Sequence, residues 1–460
     1  MRRSVVFAAI VSAGGLTAGC GRLGFDAGTD PDAFRIHPSA GVVEVGESIE
    51  LTVEGGEEPF EWTTTVGQLI GEASRRRAIV VDADVVVTVR DATGAIVTAE
   101  LASGEWETRF EYAGPTSWAY PTSIVSLADG RVITTMAVRQ SSGEERWVVF
   151  GGRGADMLEL DSFSLGLALP SLAAQVVPFA ELGCVVVGGA DSADGSRALV
   201  RGSTDCASFS TWDDYRPEAS VATAASGVAV DSAGGVWVVG TTETVDDVVS
   251  FVRFSGDRGA TWETRATLGE TYARSIAIAP TGMMYILARN RSDASLSLFE
   301  ASPDGTAWSE VDHYSPSQGI YFNGEGRPNL VASSDGSVYY QYGIEGGVNG
   351  GTRRFEPATR TTKLLATLDG GSHLGALASD PGMQSIYSTG RVAPNGTGTR
   401  AEVWVMRPGA TDWAAQSTYQ RGADEDSEGT ALAVASDRSV WLAAWGWRQG
   451  VRAAVIRQLQ

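Results

Sequence analysis

Three short stretches of the chain place an aspartate near hydroxyl groups and an aromatic ring. In chain order they contain Asp205 with Trp212, then Ser255, Asp257, Gly259, Thr261 and Trp262, and last Ser302, Asp304 and Trp308. A carboxylate beside hydroxyl groups and an aromatic ring could act as a general acid or base. The same residue types also fasten turns, because Asp and Ser side chains bond to nearby backbone N–H groups and Gly259 tolerates a positive φ.

The stretch from Ser255 to Trp262 resembles the Asp-box of the BNR and sialidase-type β-propellers, Ser-x-Asp-x-Gly-x-Thr-Trp, at every fixed place. The other two stretches are degenerate copies of it. In that family the box lies in the turn between the third and fourth strands of a blade, on the face away from the ligand site. The resemblance therefore implies that the three aspartates hold turns together, and we expect no catalysis from them.

A longer repeat surrounds the boxes and must position them. A phrase of small apolar residues, a turn and a second apolar run recurs, with its turns around Gly130, Gly183, Gly234, Gly282, Gly336, Gln384 and Arg438. The period is about fifty residues, which is typical of one four-stranded propeller blade. The sequence predicts an all-β protein with a seven-bladed β-propeller over residues 104–460.

The two ends of this repeat complement each other. The last copy has only three apolar runs, whereas Trp106 to Arg109 repeats the four residues Trp262 to Arg265 that follow the intact box. We therefore expect residues 105–112 to supply the outer strand of the last blade and so close the ring.

Two cysteines lie within one repeat. The apolar stretch from Leu165 to Gly189 is interrupted by prolines and rich in valine, so it predicts buried sheet rather than a membrane span. Strands 184–189 and 197–202 are expected to pair as a hairpin, which brings Cys184 close to Cys206. In an exported protein a disulfide is expected, and two separate buried thiols are the alternative.

Residues 34–102 alternate apolar and polar side chains in short runs between Gly-rich turns, which predicts a β-sandwich. The segment from Gly55 to Trp62 and the hairpin over residues 87–94 resemble bacterial immunoglobulin-like domains. The resemblance implies a small Ig-like sandwich with Trp62 as its core aromatic residue.

The start of the chain is typical of a secretory signal. Residues 1–19 carry Arg2 and Arg3, a short apolar run and then small residues. Leu16 to Cys20 resembles a bacterial lipobox, with Thr17 where that family usually has leucine. The resemblance implies a lipoprotein of the bacterial cell envelope, acylated at Cys20 and facing the periplasm or the cell exterior, with residues 20–33 as a flexible tether. An ordinary signal peptide with a chance cysteine is the alternative.

The net charge of −21 excludes nucleic acid and anionic lipid surfaces as partners of the folded body, so membrane contact is expected through the lipid anchor only. With three histidines in the chain, a histidine-rich metal site is not expected. Acidic stretches at 191–194 and 424–428 could bind calcium, but they lack EF-hand spacing and are interpreted as solvated loops. We expect neither a metal nor a cofactor.

The ligand face of a propeller is built by the loops between blades and the loops between second and third strands. Aromatic rings and guanidinium groups suit sugars or peptides, through stacking and bidentate hydrogen bonds, although any one of them could instead pack between blades. The candidates are Trp118, Tyr120, Tyr215, Arg216, Tyr272, Arg274, His313, Tyr314, His373, Trp445, Trp447 and Arg448.

Sialidases carry an Arg-Ile-Pro motif where this chain has Tyr120, so one arginine of the trio that clamps their substrate carboxylate is missing. A glycosidase of another kind needs two carboxylates at a defined separation, for which Glu243, Asp246, Asp247 and Glu270 are available. We therefore expect a non-catalytic binding platform for a glycan or protein partner. The alternative is a sialidase-like or other carbohydrate-active hydrolase that uses the same face.

Overall fold

The computed structural model describes a large part of the chain, and structural statements below concern that part alone. It comprises residues 34–37, 40–44, 47–71, 73–81, 84–104, 106–113, 118–140, 142–165, 171–180, 182–316, 320–321, 329–344, 350–368, 373–380, 385–392, 398–407, 413–420, 426–448 and 450–459. Every helix or strand found there is a β-strand. No helix in this part is long and apolar enough to cross a membrane. The signal, Cys20 and the tether lie outside the described residues.

The N-terminal strands form two sheets that face each other. They are β1 (Arg35–His37), β2 (Ala40–Glu44), β3 (Glu47–Glu54), β4 (Glu61–Thr64), β5 (Leu69–Ile70), β6 (Arg76–Val81), β7 (Val85–Arg90) and β8 (Ile96–Gly104). The sheet orders are β1-β3-β6-β5 and β2-β8-β7-β4. Alternate residues from both sheets, such as Ile49, Leu51 and Val87, share one buried core, so this part is a β-sandwich. Trp62 packs against that core, half-buried, with its Nε1 donating to the Ser74 carbonyl at 2.8 Å.

The strands that follow recur in groups of four. The first groups are β9 (Trp106–Tyr112), β10 (Trp118–Ser126), β11 (Val132–Arg139), β12 (Glu145–Gly152), β13 (Leu158–Phe163), β14 (Ser171–Phe179), β15 (Gly183–Ser192), β16 (Gly195–Ser203), β17 (Ser210–Tyr215), β18 (Ala222–Val230), β19 (Val236–Glu243), β20 (Val248–Ser255) and β21 (Glu263–Gly269). The later ones are β22 (Thr271–Ile278), β23 (Met284–Asn290), β24 (Leu296–Ala301), β25 (Trp308–Tyr314), β26 (Ile320–Tyr321), β27 (Leu330–Ala332), β28 (Val338–Ile344), β29 (Gly350–Glu356), β30 (Thr361–Leu368), β31 (His373–Asp380), β32 (Ser385–Val392), β33 (Arg400–Met406), β34 (Ala414–Tyr419), β35 (Ser427–Val434), β36 (Val440–Arg448) and β37 (Val451–Leu459).

These strands make antiparallel meanders. Strands β14–β17, β18–β21, β22–β25 and β31–β34 each form one sheet, and β26 and β27 both pair with β28 in the sheet that ends at β30. Strands β10–β13 form another meander, which a single parallel pair, Trp118 with Arg452, joins to β35–β37. A succession of four-stranded meanders is the arrangement of a β-propeller, as the fifty-residue repeat predicts.

The first strands of these meanders lie side by side in a ring. In order, β10, β14, β18, β22, β27, β31 and β35 each lie against the next, and β35 lies against β10. Side chains cross several of these junctions: the Ser123 hydroxyl accepts from the Val176 N–H, Gln175 accepts from the Val228 N–H, and the Ser226 hydroxyl donates to the Ala273 carbonyl. We call the end of the ring where the first strands begin the mouth face, and the opposite end the back face.

The strand that precedes the ring pairs with its last strand. Strand β9 runs antiparallel to β37, with Trp106 opposite Leu459 and Tyr112 opposite Ala454. Arg109 Nε also donates to Gln458 Oε1 at 2.9 Å. This pairing is the one that the repeated Trp-Glu-Thr-Arg sequence predicts.

Turns between first and second strands share one backbone geometry at five of the predicted places. Their left-handed residues are Gly130, Gly234, Gly282, Gly336 and Arg438, with φ of 80°, 84°, 83°, 83° and 69°. The turn predicted around Gly183 lies directly before it, since Gly183 begins β15 and the positive φ falls on Ala180 at 52°. A side chain at Gly183 would meet the Ser203 and Phe179 carbonyls, so close backbone packing explains this glycine. Gln384 lies outside the described residues.

The apolar stretch beginning at Leu165 contributes β14 and β15 to one sheet, as predicted. Cys184 on β15 is bonded to Cys206, which follows β16, with a Cα–Cα distance of 5.3 Å. Both are fully buried in an apolar cluster with Trp147 and Val186. The disulfide therefore lies inside the packing between two neighbouring meanders.

Three junctions between meanders contain the same ion pair, which the sequence analysis missed. An arginine on the third strand of one sheet meets an aspartate on the fourth strand of the preceding sheet, and lies over the aromatic ring two residues beyond that aspartate. The sets are Arg201, Asp161 and Phe163, then Arg253, Asp213 and Tyr215, and last Arg353, Asp312 and Tyr314. The partners are separated by 40, 40 and 41 residues, so the spacing itself repeats.

One junction replaces this set with apolar residues. Between β18–β21 and β22–β25, the register puts Ala266 and Leu268 at the aspartate and aromatic places and Phe299 at the arginine place. All three belong to the apolar cluster at this junction. The same structural role is therefore filled by a charged pair at some junctions and by hydrophobic packing at another.

Candidate functional site

The Asp-box is a turn fastened from within. Asp257 Oδ1 accepts from the Thr261 N–H at 2.8 Å and from the Ser255 hydroxyl at 2.9 Å, and its Oδ2 accepts from the Thr261 hydroxyl at 2.6 Å. The Ser255 hydroxyl accepts from the Gly259 N–H, and Trp262 Nε1 donates to the Gly259 carbonyl at 3.2 Å. Gly259 has φ of 85°, and a Cβ there would lie 2.5 Å from Trp212 of the preceding sheet. The box thus fastens its own turn and receives a neighbouring tryptophan.

The three box aspartates share a lowered pKa. Hydrogen bonds from Thr261, first from its hydroxyl, lower the pKa of Asp257. The Ser302 and Thr306 hydroxyls lower the pKa of Asp304, and the Ala207 N–H followed by the Ser203 hydroxyl lowers the pKa of Asp205. Because each carboxylate is held ionised by its own turn, it is suited to fastening the chain and poorly suited to donating a proton.

The boxes lie at the opposite end of the sheets from the starts of the first strands. Strands of a meander alternate in direction, so the end of β20 lies at the opposite edge from the start of β18. The box that follows β20 is therefore on the back face, and it contributes no residue to the mouth face.

A cavity of about 350 Å³ opens on the mouth face. It is formed by the first residues of β14, β18 and β22 and by the last residues of β15 and β19, so neighbouring meanders build it jointly. Its lining consists of Glu145, Leu172, Ala174, Gly189, Asp191, Ser196, Ala222, Thr223, Ala224, Ala225, Ser226, Thr241, Glu243, Tyr272, Ala273 and Arg274. We call it the Arg274 cavity.

Bulges in the first strands shape this cavity. The register of β14, β18 and β22 slips by one residue at Ala174, Ser226 and Arg274, and all three of these bulge residues line the cavity. Small side chains at Ala174 on β14 and Ser226 on β18 leave room in the cavity. At the equivalent place on β22, Arg274 brings a guanidinium group instead. A bulge redirects a side chain out of the ladder, which explains how one residue per strand comes to line the cavity.

Charges in the cavity are divided between its walls. Asp191 and Glu243 come from the ends of β15 and β19, and Asp191 accepts from the Ser196 hydroxyl. Within the part of the chain that the structure describes, the half-buried Glu243 carboxylate has no hydrogen-bond or ion-pair partner. Arg274 and Tyr272 come from β22, with the guanidinium carbon 6.0 Å from the ring centroid. One wall is thus acidic and the other cationic.

Tyr272 and Arg274 lie in this cavity, whereas other predicted ligand residues pack between sheets. Tyr215 stacks edge-on against Phe251 at 5.0 Å and lies under Arg253, and Tyr314 contacts Tyr342 at 4.7 Å. Their place on the outer strands explains this, because a ring there faces the next meander. Tyr215 and Tyr314, two of the predicted ligand-face residues, therefore pack between meanders and lie outside the Arg274 cavity.

A second group of predicted residues gathers where the first and last meanders meet. Arg452 lies over the rings of Trp445, Tyr120 and Trp118 at 3.6, 4.9 and 5.4 Å. Trp445 is only 5% exposed, so its ring is part of the packing rather than an open surface. Trp447 lies opposite Arg452 in the same hairpin. Arg452 was absent from the sequence-based candidates, since nothing in its immediate sequence distinguishes it.

The remaining candidates are dispersed. Arg216 donates to the Ser220 carbonyl at 3.4 Å beside the Arg274 cavity. His313 lies on outer strand β25, with Nδ1 2.8 Å from Glu310 and Nε2 4.0 Å from Asp293. The side chains of His373 and Arg448 lie outside the described part, as does Cys20.

The acidic loops show bonds typical of turns and ion pairs. Asp194 lies 3.7 Å from Arg197, and Asp426 accepts from the Thr399 N–H at 2.7 Å. Among the described residues, no group of three or more potential ligands could hold a metal ion. Residues 424–425 of the second acidic stretch are outside that part.

Comparisons with known proteins give only distant likenesses. No protein-family model matches the chain, and no curated protein does. Among solved structures, the chain is similar to an ulvan lyase of polysaccharide lyase family PL25, with 8% identity, 73% of this chain and 93% of that one covered, and a TM-score of 0.48. It is also similar to YCF48 bound to D1 peptide, with 13% identity, 77% of this chain and 94% of that one covered, and a TM-score of 0.47. For the Hadza microbial sialidase Hz136 the identity is 14%, 84% of this chain and 74% of that one are covered, and the TM-score is 0.44. The sheets and their register, described above, are what define the fold.

Proposed function

We propose that this protein is a non-catalytic binding platform whose Arg274 cavity receives a glycan or protein ligand. The observation that carries the proposal is the cavity itself, built jointly by consecutive first strands on the mouth face. Its volume falls within the range of about 300–1,000 Å³ common for ligand pockets, toward the small end. Tyr272 offers a ring for stacking, and Arg274 offers a fork of N–H donors to carboxylates or carbonyls.

The test fills or neutralises the cavity and measures binding by calorimetry against oligosaccharides, with and without uronic acids, and against peptides. Ala224→Trp places a bulky ring among the small lining residues, and Arg274→Gln removes the charge. Both are expected to weaken binding at least about tenfold, which is about 1.4 kcal/mol. Arg258→Gln, in the exposed Asp-box turn on the back face, is the matched control and should bind normally. Equal binding by Ala224→Trp and the wild type would refute the site.

One observation favours the alternative, a carbohydrate-active hydrolase. Asp191 and Glu243 line the same cavity, and glycosidases work with paired carboxylates. Incubating the protein with the same oligosaccharides and measuring released reducing ends decides between the two. Turnover that disappears in both Asp191→Asn and Glu243→Gln would establish the hydrolase, whereas binding without turnover supports the platform.

We extend the proposal to the architecture. The ring of first strands, from β10 to β35 and back to β10, supports a seven-bladed propeller over residues 104–460. The two facing sheets around one core support an Ig-like sandwich over residues 34–102. Limited proteolysis is expected to release these two units with a cut near their junction.

We also propose that Cys20 anchors the chain to a membrane of the bacterial cell envelope, with the folded body in the periplasm or outside the cell. The lipobox-like sequence supports this, and a disulfide between Cys184 and Cys206 fits an oxidising compartment. Cys20→Ser should prevent incorporation of labelled palmitate and release the protein from the membrane fraction. Membrane retention of Cys20→Ser without label would contradict the proposal.

A further inference from the structure

The surroundings of the Arg274 cavity carry an excess of negative charge. Beyond Asp191 and Glu243, the neighbouring mouth-face loops contribute Glu218, Asp246 and Glu270. Two arginines close to these loops are already engaged, Arg197 with Asp214 at 3.1 Å and Arg291 with Asp247 at 3.7 Å. Five carboxylates, those of Asp191, Glu218, Glu243, Asp246 and Glu270, thus outnumber Arg216, Arg274 and Arg289 at this end of the sheets, so the net field there attracts cations.

Two exposed valines lie close in the chain to lining residues Ala222 and Glu243, and we call them the rim of the cavity. Val221 is 51% exposed and Val245 is 83% exposed, although single exposed valines are ordinary on a protein surface. What these two share is position, since Val221 precedes the lining residue Ala222 and its N–H donates to the carbonyl of Glu243 at 2.8 Å. Val245 follows Glu243 by two residues. An acidic cavity with an apolar rim matches a ligand with both cationic and apolar groups, which a polypeptide has and a polysaccharide lacks.

The two walls add a direction to this match. The carboxylates of Asp191 and Glu243 stand on β15 and β19, whereas the guanidinium of Arg274 belongs to β22. A lysine or arginine side chain entering the cavity would meet the acidic wall, and main-chain carbonyls of the same segment could accept from Arg274.

We propose that the occupant of the Arg274 cavity is an extended protein segment that presents a lysine or arginine to Asp191 and Glu243 and apolar side chains to Val221 and Val245. This rests on the proposed binding function and specifies its ligand class. The basic side chain supplies the specificity, because its positive charge pairs with the Glu243 carboxylate, which has no partner among the described residues. The apolar contacts at the rim distinguish a peptide from a simple amine.

The test uses the full-length chain and fluorescein-labelled decapeptides in which valine alternates with lysine, glutamine or glutamate, read by fluorescence anisotropy. The lysine peptide should bind at least about tenfold more tightly than the glutamine peptide at low ionic strength, and the difference should shrink as salt is added. Glu243→Gln should reduce this preference several-fold, since Asp191 remains, while leaving the weaker glutamine peptide unaffected. Glu159→Gln, a charge removal on outer strand β13, is the matched control.

The rim is tested with Val245→Ser against Leu158→Ser, which alters a side chain 68% exposed on β13. Val245→Ser should weaken binding of the lysine peptide several-fold, and Leu158→Ser should not. All variants are first required to melt at the wild-type temperature, so that a folding defect is not read as lost binding.

The outcomes separate this inference from the proposed function. Glycan binding that depends on Arg274, without any preference for the lysine peptide, would overturn the peptide inference and leave the binding platform standing. Spermidine binding as tightly as the lysine peptide would refute a protein partner. Failure of every oligosaccharide and peptide to bind would overturn both proposals.

Discussion

Replacing Arg253 by Met tests how much the repeated ion pair contributes to the ring. Arg253 Nε and Nη2 contact the two Asp213 oxygens at 2.5 and 2.8 Å, and both side chains are only 11% exposed. The guanidinium also donates to the Thr264 hydroxyl and lies 4.3 Å from the Tyr215 ring centroid. Removing one partner leaves the other charge buried and uncompensated, which typically costs about 3–5 kcal/mol.

The structure supplies its own control and its own rescue. Arg265 pairs with Glu263 at 2.6 Å, but the side chains are 31% and 57% exposed, so Arg265→Met should cost at most about 1 kcal/mol. The apolar junction at Ala266 and Phe299 suggests the double variant Asp213→Ala with Arg253→Phe. Because replacing both members of a buried pair by packed apolar groups is often close to neutral, this variant should recover most of the loss.

Thermal unfolding followed by near-UV circular dichroism measures these effects. At about 2 °C per kcal/mol for a large domain, Arg253→Met should lower the melting temperature by about 6–10 °C, and Arg265→Met by no more than about 2 °C. Similar shifts for the two single variants would refute the reasoning, because the burial of the charge would then be irrelevant. A double variant less stable than Arg253→Met would show that the apolar junction is not transferable.

Three further predictions concern the fastenings of the ring. Gly259→Ala should destabilise the fold by about 2–4 kcal/mol, because it combines a strained φ with a Cβ 2.5 Å from Trp212. Gly234→Ala is the control: its φ is 84° and the space around it is open, so it should cost only about 1–2 kcal/mol. Urea unfolding measures both. Removing the disulfide with Cys184→Ala and Cys206→Ala should lower the free energy of unfolding by about 3 kcal/mol, because the bond closes a loop with a sequence separation of 22. A urea midpoint equal to that of the wild type would contradict this. Since the folded pKa of Asp257 lies below its ordinary value of 3.8, its contribution is complete above that value and is lost as the pH falls through the folded pKa. The melting temperatures of wild type and Asp257→Asn should therefore differ at neutral pH and converge in acid, and a difference that persists at the lowest pH would contradict this role.

The parts of the fold that could be predicted from sequence are those determined by a few neighbouring residues. The Asp-box at Ser255–Trp262 and the turns at Gly130 and Gly234 depend on a few adjacent residues whose backbone needs are specific, so their geometry follows from residue type. Pairing of β9 with β37 could be predicted because Trp106 repeats the sequence context of Trp262. The turn around Gly183 was also predicted, but the reason for that glycine was not, because it approaches the carbonyls of Ser203 and Phe179 on two other strands, a contact that no local pattern shows.

The candidate site was harder to predict because it depends on which strand a residue occupies and which way it faces. Tyr272 and Tyr215 look alike in sequence, yet the first lies at the mouth end of a first strand and the second faces the next meander from an outer strand. The small residues that create the cavity, such as Ala174 and Ala224, carry no chemical signal at all. The Arg253 and Asp213 pair was missed because its partners lie in different repeats, 40 residues apart.

The pairing of β9 with β37 has a consequence for the order of folding. Its partners, such as Arg109 and Gln458, are 349 residues apart, so the first strand of the ring to be synthesised must await one of the last. Closing so long a loop is entropically unfavourable, and contacts of such separation form late. Until then β9 presents an unpaired edge, immediately beside the sandwich strand β8 that ends at Gly104. A newly synthesised chain is thus most exposed to misassembly at this seam, where a chaperone would protect it best.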